Sequence, residues 1–94
     1  MLSIRWNSEK AKRLAENSDR QHVGFEDCVI AMEDGRLLAD LPHPTRPEQR
    51  LLVLDINNYA YVAPYVEEAD GTLFLKTVFP SRKHHAAYMK KDKS

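Results

Sequence analysis

The hydrophobic positions of this chain change period twice along its length, dividing it into a helical first third, a strand-rich middle and a short final helix. At the start, Leu2, Ile4 and Trp6 alternate with polar residues, which predicts a short strand over residues 2–6 that Asn7 stops. Ala11, Leu14 and Ala15 then fall at helical spacing, with Glu9, Lys10, Lys12, Arg13 and Glu16 on the other faces. Residues 8–17 therefore read as a helix capped by Asn7 or Ser8. Its apolar stripe is thin, which suits a helix lying across a sheet with its charged surface wet. After a polar link with Asp19, Arg20 and His22, a second helix opens at Gly24. Glu26 and Asp27 occupy its first turn, where the macrodipole favours acids, and Phe25, Cys28, Val29 and Met32 form its apolar stripe. Asp34 and Gly35 end it.

From Leu37 the period becomes that of strands. Residues 37–41 form a short strand closed by Pro42, His43 and Pro44, and Pro47 further stiffens the loop that follows. Leu51, Leu52, Val53 and Leu54 make residues 50–56 a strand covered on both faces. Asn57 and Asn58 tolerate positive φ and mark a turn. In residues 59–67, Tyr59, Tyr61, Ala63 and Tyr65 point one way, and Ala60, Val62, Pro64 and Val66 the other. Pro64 donates nothing to a ladder and predicts a bulge or an edge. Asp70 and Gly71 turn the chain into a last strand over residues 72–79, Pro80 stops it, and Ser81 starts a helix. The fold class is α+β in a single domain over residues 1–94. It is an antiparallel sheet of four to five strands in a meander, with two N-terminal helices packed on it and a short C-terminal helix. The pattern does not fix where the first strand joins the sheet.

Composition adds that the chain is an ordinary folded one, with 43% hydrophobic and 30% charged residues over 94 positions. Its formal net charge of zero hides an uneven distribution. From Lys76 onward six basic residues face one acid, so the first 75 residues carry eight basic against thirteen acidic. Such polarity lets one face attract an anion. Lys90, Lys91 and Lys93 read as a solvated tail. The single cysteine, Cys28, excludes an intrachain disulfide and falls in an apolar helical pattern, so core packing is expected of it. No run approaches the roughly 20 apolar residues of a membrane span, and the first residues lack the apolar centre of a signal peptide. A cytoplasmic protein without a membrane partner is expected.

One stretch breaks a local rule. Helix starts favour acids, yet Arg82, Lys83, His84 and His85 crowd the first turn of the last helix. Unfilled N–H groups beside Arg and Lys suit a phosphate or carboxylate. The four histidines and the acids have none of the spacings of zinc or calcium sites, and no glycine-rich phosphate loop is present, so neither metal nor cofactor is expected. Ser81 after Pro80 reads as a helix cap rather than a nucleophile. What remains is anion binding by Lys76, Ser81, Arg82, Lys83 and the neighbouring histidines, a set suited to cleaving RNA. The 2′-hydroxyl already lies beside the phosphate, so the protein need supply only a proton acceptor, a proton donor and cations. His43 and Arg46, in the proline-stiffened loop, are also suited to phosphate chemistry. Lys12 or Arg13 would join an anion site only if the fold carried them to the basic joint. The tyrosine row is either a platform for stacked bases or sheet surface under a helix.

The segments IRWNSEKAKRL, VGFEDCVIAMED and FLKTVFPSRKHHAAYMK, in this order and spacing, resemble the BrnT-type ribonuclease toxins of bacterial toxin–antitoxin pairs, whose fold is similar to that of the RelE toxins. The resemblance extends over nearly the whole chain and is most specific at W-N-x-x-K-A, at G-F-E-D and at S-R-K. It implies an RNA-cleaving toxin neutralised by a separate DNA-binding antitoxin, whose complex represses its own operon, so that operator DNA is met only through that complex. Under this reading Arg82 is the phosphate clamp, Lys76 and Lys83 are supporting cations, and His43 or His84 moves protons. Ser81, Arg50 and Tyr61 are further candidates for contact with the substrate. The alternative is a non-catalytic module whose basic joint, from Lys76 to His85, docks nucleic acid or an acidic protein.

Overall fold

The computed structural model describes residues 3–16 and 23–89, with the backbone alone at Leu14 and Ala15. The predicted link with Asp19, Arg20 and His22, the predicted ends at Leu2 and Asn17, and the lysine tail from Lys90 lie outside the described residues. In chain order the elements are β1 (Ile4–Trp6), α1 (Ser8–Glu16), α2 (Phe25–Glu33), β2 (Leu37–Pro42), β3 (Arg50–Ile56), β4 (Tyr59–Glu67), β5 (Leu73–Leu75), β6 (Phe79–Pro80) and α3 (Arg82–Tyr88). The sheet runs β1-β5-β4-β3-β2, with β6 paired to β4.

Local chemistry explains most boundaries. Asn7 caps α1, its side-chain oxygen accepting the Lys10 N–H at 3.0 Å. The Asp27 carboxylate reaches back to the Gly24 N–H at 2.8 Å and closes the first turn of α2. Gly35, at φ 75, ends that helix in the left-handed region. Asn57 and Asn58, at φ 56 and 63, form the tight turn between β3 and β4. Strands β2 to β5 are the expected antiparallel meander.

Two features differ from the sequence reading. The sheet is mixed rather than purely antiparallel and has six strands, because β1 pairs in parallel with β5, placing Ile4 opposite Leu73 and Trp6 opposite Leu75. A strand with no hairpin to its neighbour can run either way, and here α1 and α2 intervene before the chain returns at the far edge in β2. The expected last strand over residues 72–79 is also broken in two. The carbonyl of Pro64 accepts the Lys76 N–H at 2.8 Å, so its ring nitrogen faces the same side of β4 and has no hydrogen to give. Pairing stops there and resumes one residue out of step, with Phe79 opposite Val62 and Pro80 opposite Tyr61. The bulge expected at Pro64 thus appears on its partner strand.

The sheet is covered on both faces, as the apolar run of β3 requires. On one, Leu52, Leu54, Ile56, Tyr61, Ala63 and Tyr65 pack against Phe25, Cys28 and Ala31 of α2, with Trp6 and Ala11 at the margin. On the other, Leu51, Val53, Ala60 and Val62 meet Leu38, Leu41 and Met89. The bulge after Lys76 also turns Val78 inward, so Leu75 and Val78 join the first cluster together. Trp6 stacks on Phe25 at 5.5 Å, joining the start of the chain to α2.

Leu54 is fully buried, whereas Leu37, its register partner on edge strand β2, is 43% exposed. Leu54→Ala is expected to lower unfolding free energy by about 2–5 kcal/mol and Leu37→Ala by less than about 1, as read by urea denaturation. Burial, with a smaller push from the charge of Asp27, drives the Cys28 thiol up to about 12. A folded value above the unfolded one contributes stability that is whole below the unfolded pKa and is lost as pH rises toward 12. At pH 8 a thiol-specific chromophore should therefore label Cys28 only after denaturation; rapid labelling of the folded chain would contradict this packing.

Candidate functional site

The start of α3 is tied to the beginning of β4 by a small set of polar contacts. The Ser81 N–H donates to the Ala60 carbonyl at 3.0 Å, and the Ala60 N–H donates to Nδ1 of His85 at 3.3 Å. The His85 ring lies flat on Tyr59, with centroids 4.1 Å apart. Ser81 caps the helix as expected: its Oγ accepts the His84 N–H at 3.3 Å and also meets Nδ1 of His84 at 2.7 Å. Arg82 and Lys83 stand exposed beside this pair. At seven residues α3 carries only a short dipole, so side-chain cations rather than the helix end would hold an anion here.

The three described histidines differ in what their Nδ1 atoms contact. In the loop after β2, Nδ1 of His43 accepts the N–H groups of Thr45 and Arg46, both at 3.1 Å. Nδ1 of His85 accepts from Ala60. An imidazolium has no ring acceptor, so charging either ring breaks a bond that holds the backbone. The Ser81–His84 contact survives in both states, because the hydroxyl can donate to neutral Nδ1 and accept from a protonated one. His84 is therefore the one described histidine whose Nδ1 is not spent on a backbone N–H.

The predicted site residues do not gather in one place. Ser81, Arg82, Lys83 and His84 stay together at α3. His43 and Arg50 lie at the opposite end of the β3–β4 hairpin, since Pro42 pairs with Arg50 and Arg50 with Tyr65, while α3 attaches near Tyr59 and Ala60. Six strand residues at ~3.4 Å each separate these ends by about 20 Å, so His43 is not a partner of Arg82. Arg50 is spoken for locally: its Nε donates to Asp40 Oδ1 and its Nη2 to the Asp40 carbonyl, both at 2.9 Å. Tyr65 donates its hydroxyl to the same carboxylate at 2.9 Å. Tyr61, expected as a substrate contact, is 3% exposed within the core and presents no ring face to a base. Helix packing over the sheet has claimed the tyrosine row.

Lys76 is also separated from α3. It lines a groove of about 390 Å³ with Asn7, Glu9, Lys10, Arg13 and Phe74, and the lining takes in no residue of α3. Arg13 thus does reach a basic neighbour from the last strand, whereas Lys12 turns to the other flank of α1, in a cleft with Glu26 and Asp27. The spacing of Lys10 and Arg13 on one helical face was readable in the sequence, but their approach to Lys76 was not.

No family model, curated protein or solved structure matches the chain. The resemblance to BrnT-type toxins rests on the sequence segments alone. Among the described residues, no helix is long and apolar enough to cross a membrane, and no group of three or more His, Cys, Asp or Glu side chains is placed to hold a metal ion.

The Tyr65 hydroxyl is raised above the ordinary tyrosine value, first by burial and then by its bond to Asp40, with Arg50 opposing. Its contribution to stability is accordingly whole below the unfolded value near 10 and is lost as pH rises through the higher folded one. In Asp40→Asn, which keeps an acceptor but removes the charge, Tyr65 should ionise at lower pH, followed by absorbance of tyrosinate. An unshifted titration would mean that Asp40 does not act on Tyr65.

Proposed function

We propose that this chain is the toxin of a bacterial toxin–antitoxin pair, a metal-independent endoribonuclease that arrests growth until its antitoxin binds. The observation that carries the reading is the 2.7 Å contact of Ser81 and His84 beside exposed Arg82 and Lys83. It puts a histidine able to change charge next to cations able to hold a phosphate. Cleavage at the 2′-hydroxyl needs a proton acceptor, a proton donor and a cation at the phosphate. His84 accepts the hydroxyl proton as the 2′-oxygen attacks phosphorus and then, as imidazolium, returns it to the leaving 5′-oxygen, while Arg82 stabilises the charge that builds on phosphorus. Lys83 adds to the field at the same place. His43, Arg50 and Tyr61 have no part in this version of the site, and Lys76 binds the strand at a distance from the reacting phosphate. The partner is a separate DNA-binding antitoxin in the cytoplasm, through which alone the chain meets operator DNA.

A second reading has one observation in its favour. Two of the three described histidines spend Nδ1 on backbone N–H groups, which leaves His84 alone among the described histidines where two-step acid–base cleavage commonly uses two groups. On this reading the basic stretch from Lys76 to His85, with Lys76 standing apart from α3, docks nucleic acid or an acidic protein and cuts nothing.

Arg82→Ala is expected to abolish growth arrest on expression and RNA cleavage in vitro, while the thermal melt stays within about 2 °C of wild type because Arg82 is exposed and has no ion-pair partner among the described residues. His84→Ala should lower cleavage by about 10²–10⁴-fold and remove a limb of the pH–rate profile. Unchanged cleavage by a folded Arg82→Ala protein would sink the assignment, and intact RNA at every pH with retained binding would favour the second reading.

A further inference from the structure

The parallel pairing of β1 with β5 sets Trp6 opposite Leu75, so the residues that follow each strand, Asn7 with α1 and Lys76, leave the sheet side by side. Lys10 and Arg13, three apart on α1, present their cations to the side on which Lys76 emerges. Among the described residues, three positive side chains therefore share one open groove with a single acid, Glu9, and with Phe74. The Lys76 ammonium sits over the Phe74 ring, 5.4 Å from its centroid, which holds the long side chain over the groove.

Three arginines elsewhere on the surface are held in ion pairs. Arg5 pairs with Glu68, Arg36 with Asp34 and Arg50 with Asp40. Lys10, Arg13 and Lys76 have no carboxylate partner among the described residues, although Glu9 lines the same groove. Three cations against one acid leave the groove with a net positive charge, which an anion spanning them offsets.

We infer that the groove between α1 and β5 is a binding site for the phosphodiester backbone of a single RNA strand, with Lys10, Arg13 and Lys76 each on a phosphate and Asn7 and Phe74 as polar and apolar flanks. That the strand is RNA rests on the function proposed above; the groove itself involves none of the residues assigned to the cleavage step. It holds the strand while α3 acts on a phosphate elsewhere along it. Because the contacts are to backbone charge, the site is indifferent to base sequence and strongly weakened by salt.

The test is fluorescence anisotropy with a short labelled single-stranded RNA, 2′-O-methylated throughout so that it cannot be cut, titrated over a range of salt. For Lys10→Gln, Arg13→Gln and Lys76→Gln combined, affinity at low salt should fall at least tenfold. The slope of log affinity against log salt should shrink by about 2, at ~0.7 for each lost contact to a single strand. Lys12→Gln removes a charge from the same helix outside the groove, and it should leave both nearly unchanged. Wild-type affinity and slope in the folded triple variant, an equal loss in Lys12→Gln, or no measurable binding by the unaltered chain would each overturn the site. If the unaltered chain binds this RNA through the groove yet leaves the unmethylated strand whole, the groove stands and the ribonuclease reading falls.

Discussion

The parallel contact between β1 and β5 is the constraint on which the arrangement of charge depends. It fixes the edge at which the chain enters the sheet, and with it the end from which α1 departs. Reversing β1 would carry α1 to the other end of β5 and leave Lys76 without Lys10 or Arg13. The contact is short, three residues on each strand, and the core reinforces it: Ile4, Trp6 and Leu73 pack against the main cluster, and Trp6 stacks on Phe25. Aromatic stacking of this kind contributes of order 1 kcal/mol beyond simple burial. Position of charge in this protein is thus a product of apolar packing.

Pro64 imposes the second constraint. By withholding one N–H from the β5 side of β4, it ends the ladder at Lys76 and lets the chain step out and rejoin one residue later. The step has two outcomes that follow from strand alternation. Val78 turns inward beside Leu75, filling the core, and Lys76 is left at the rim where β1 ends. The chain then reaches Ser81 in place to bond Ala60, which docks α3 against β4. A missing hydrogen on one strand so places a cation and a helix on the other.

The histidines show how similar side chains acquire different chemistry from their hydrogen bonds. His43 and His85 serve as acceptors for backbone N–H groups and behave as parts of a loop and a helix joint. His84 contacts a hydroxyl, which can reverse direction as a proton arrives. Asp40 illustrates the same logic for an acid: with Arg50 and the Tyr65 hydroxyl converging on it, its charge is spent on holding β2, β3 and β4 in register at their shared end.

The sequence by itself determined the elements, apart from the break in the strand expected over residues 72–79. Asn7, Gly24 with Asp27, Gly35, the Asn57–Asn58 pair, Asp70–Gly71 and Ser81 act over a few residues, so caps and turns were legible, as were the alternating faces of β4 and the two-sided burial of β3. The basic start of α3 was legible for the same reason. Tertiary structure alone decided which of the distant groups meet. Periodicity says which way a side chain points from its own element but nothing about which element lies opposite. Hence His43 and Arg50, plausible beside Arg82 in the sequence, sit at the other end of a hairpin, Tyr61 is claimed by the core, and Lys76 leaves the basic joint for α1. The direction of β1 had no local signal, because no turn ties it to β5; it is set by the apolar contacts of Trp6 and by the path of two helices across the sheet.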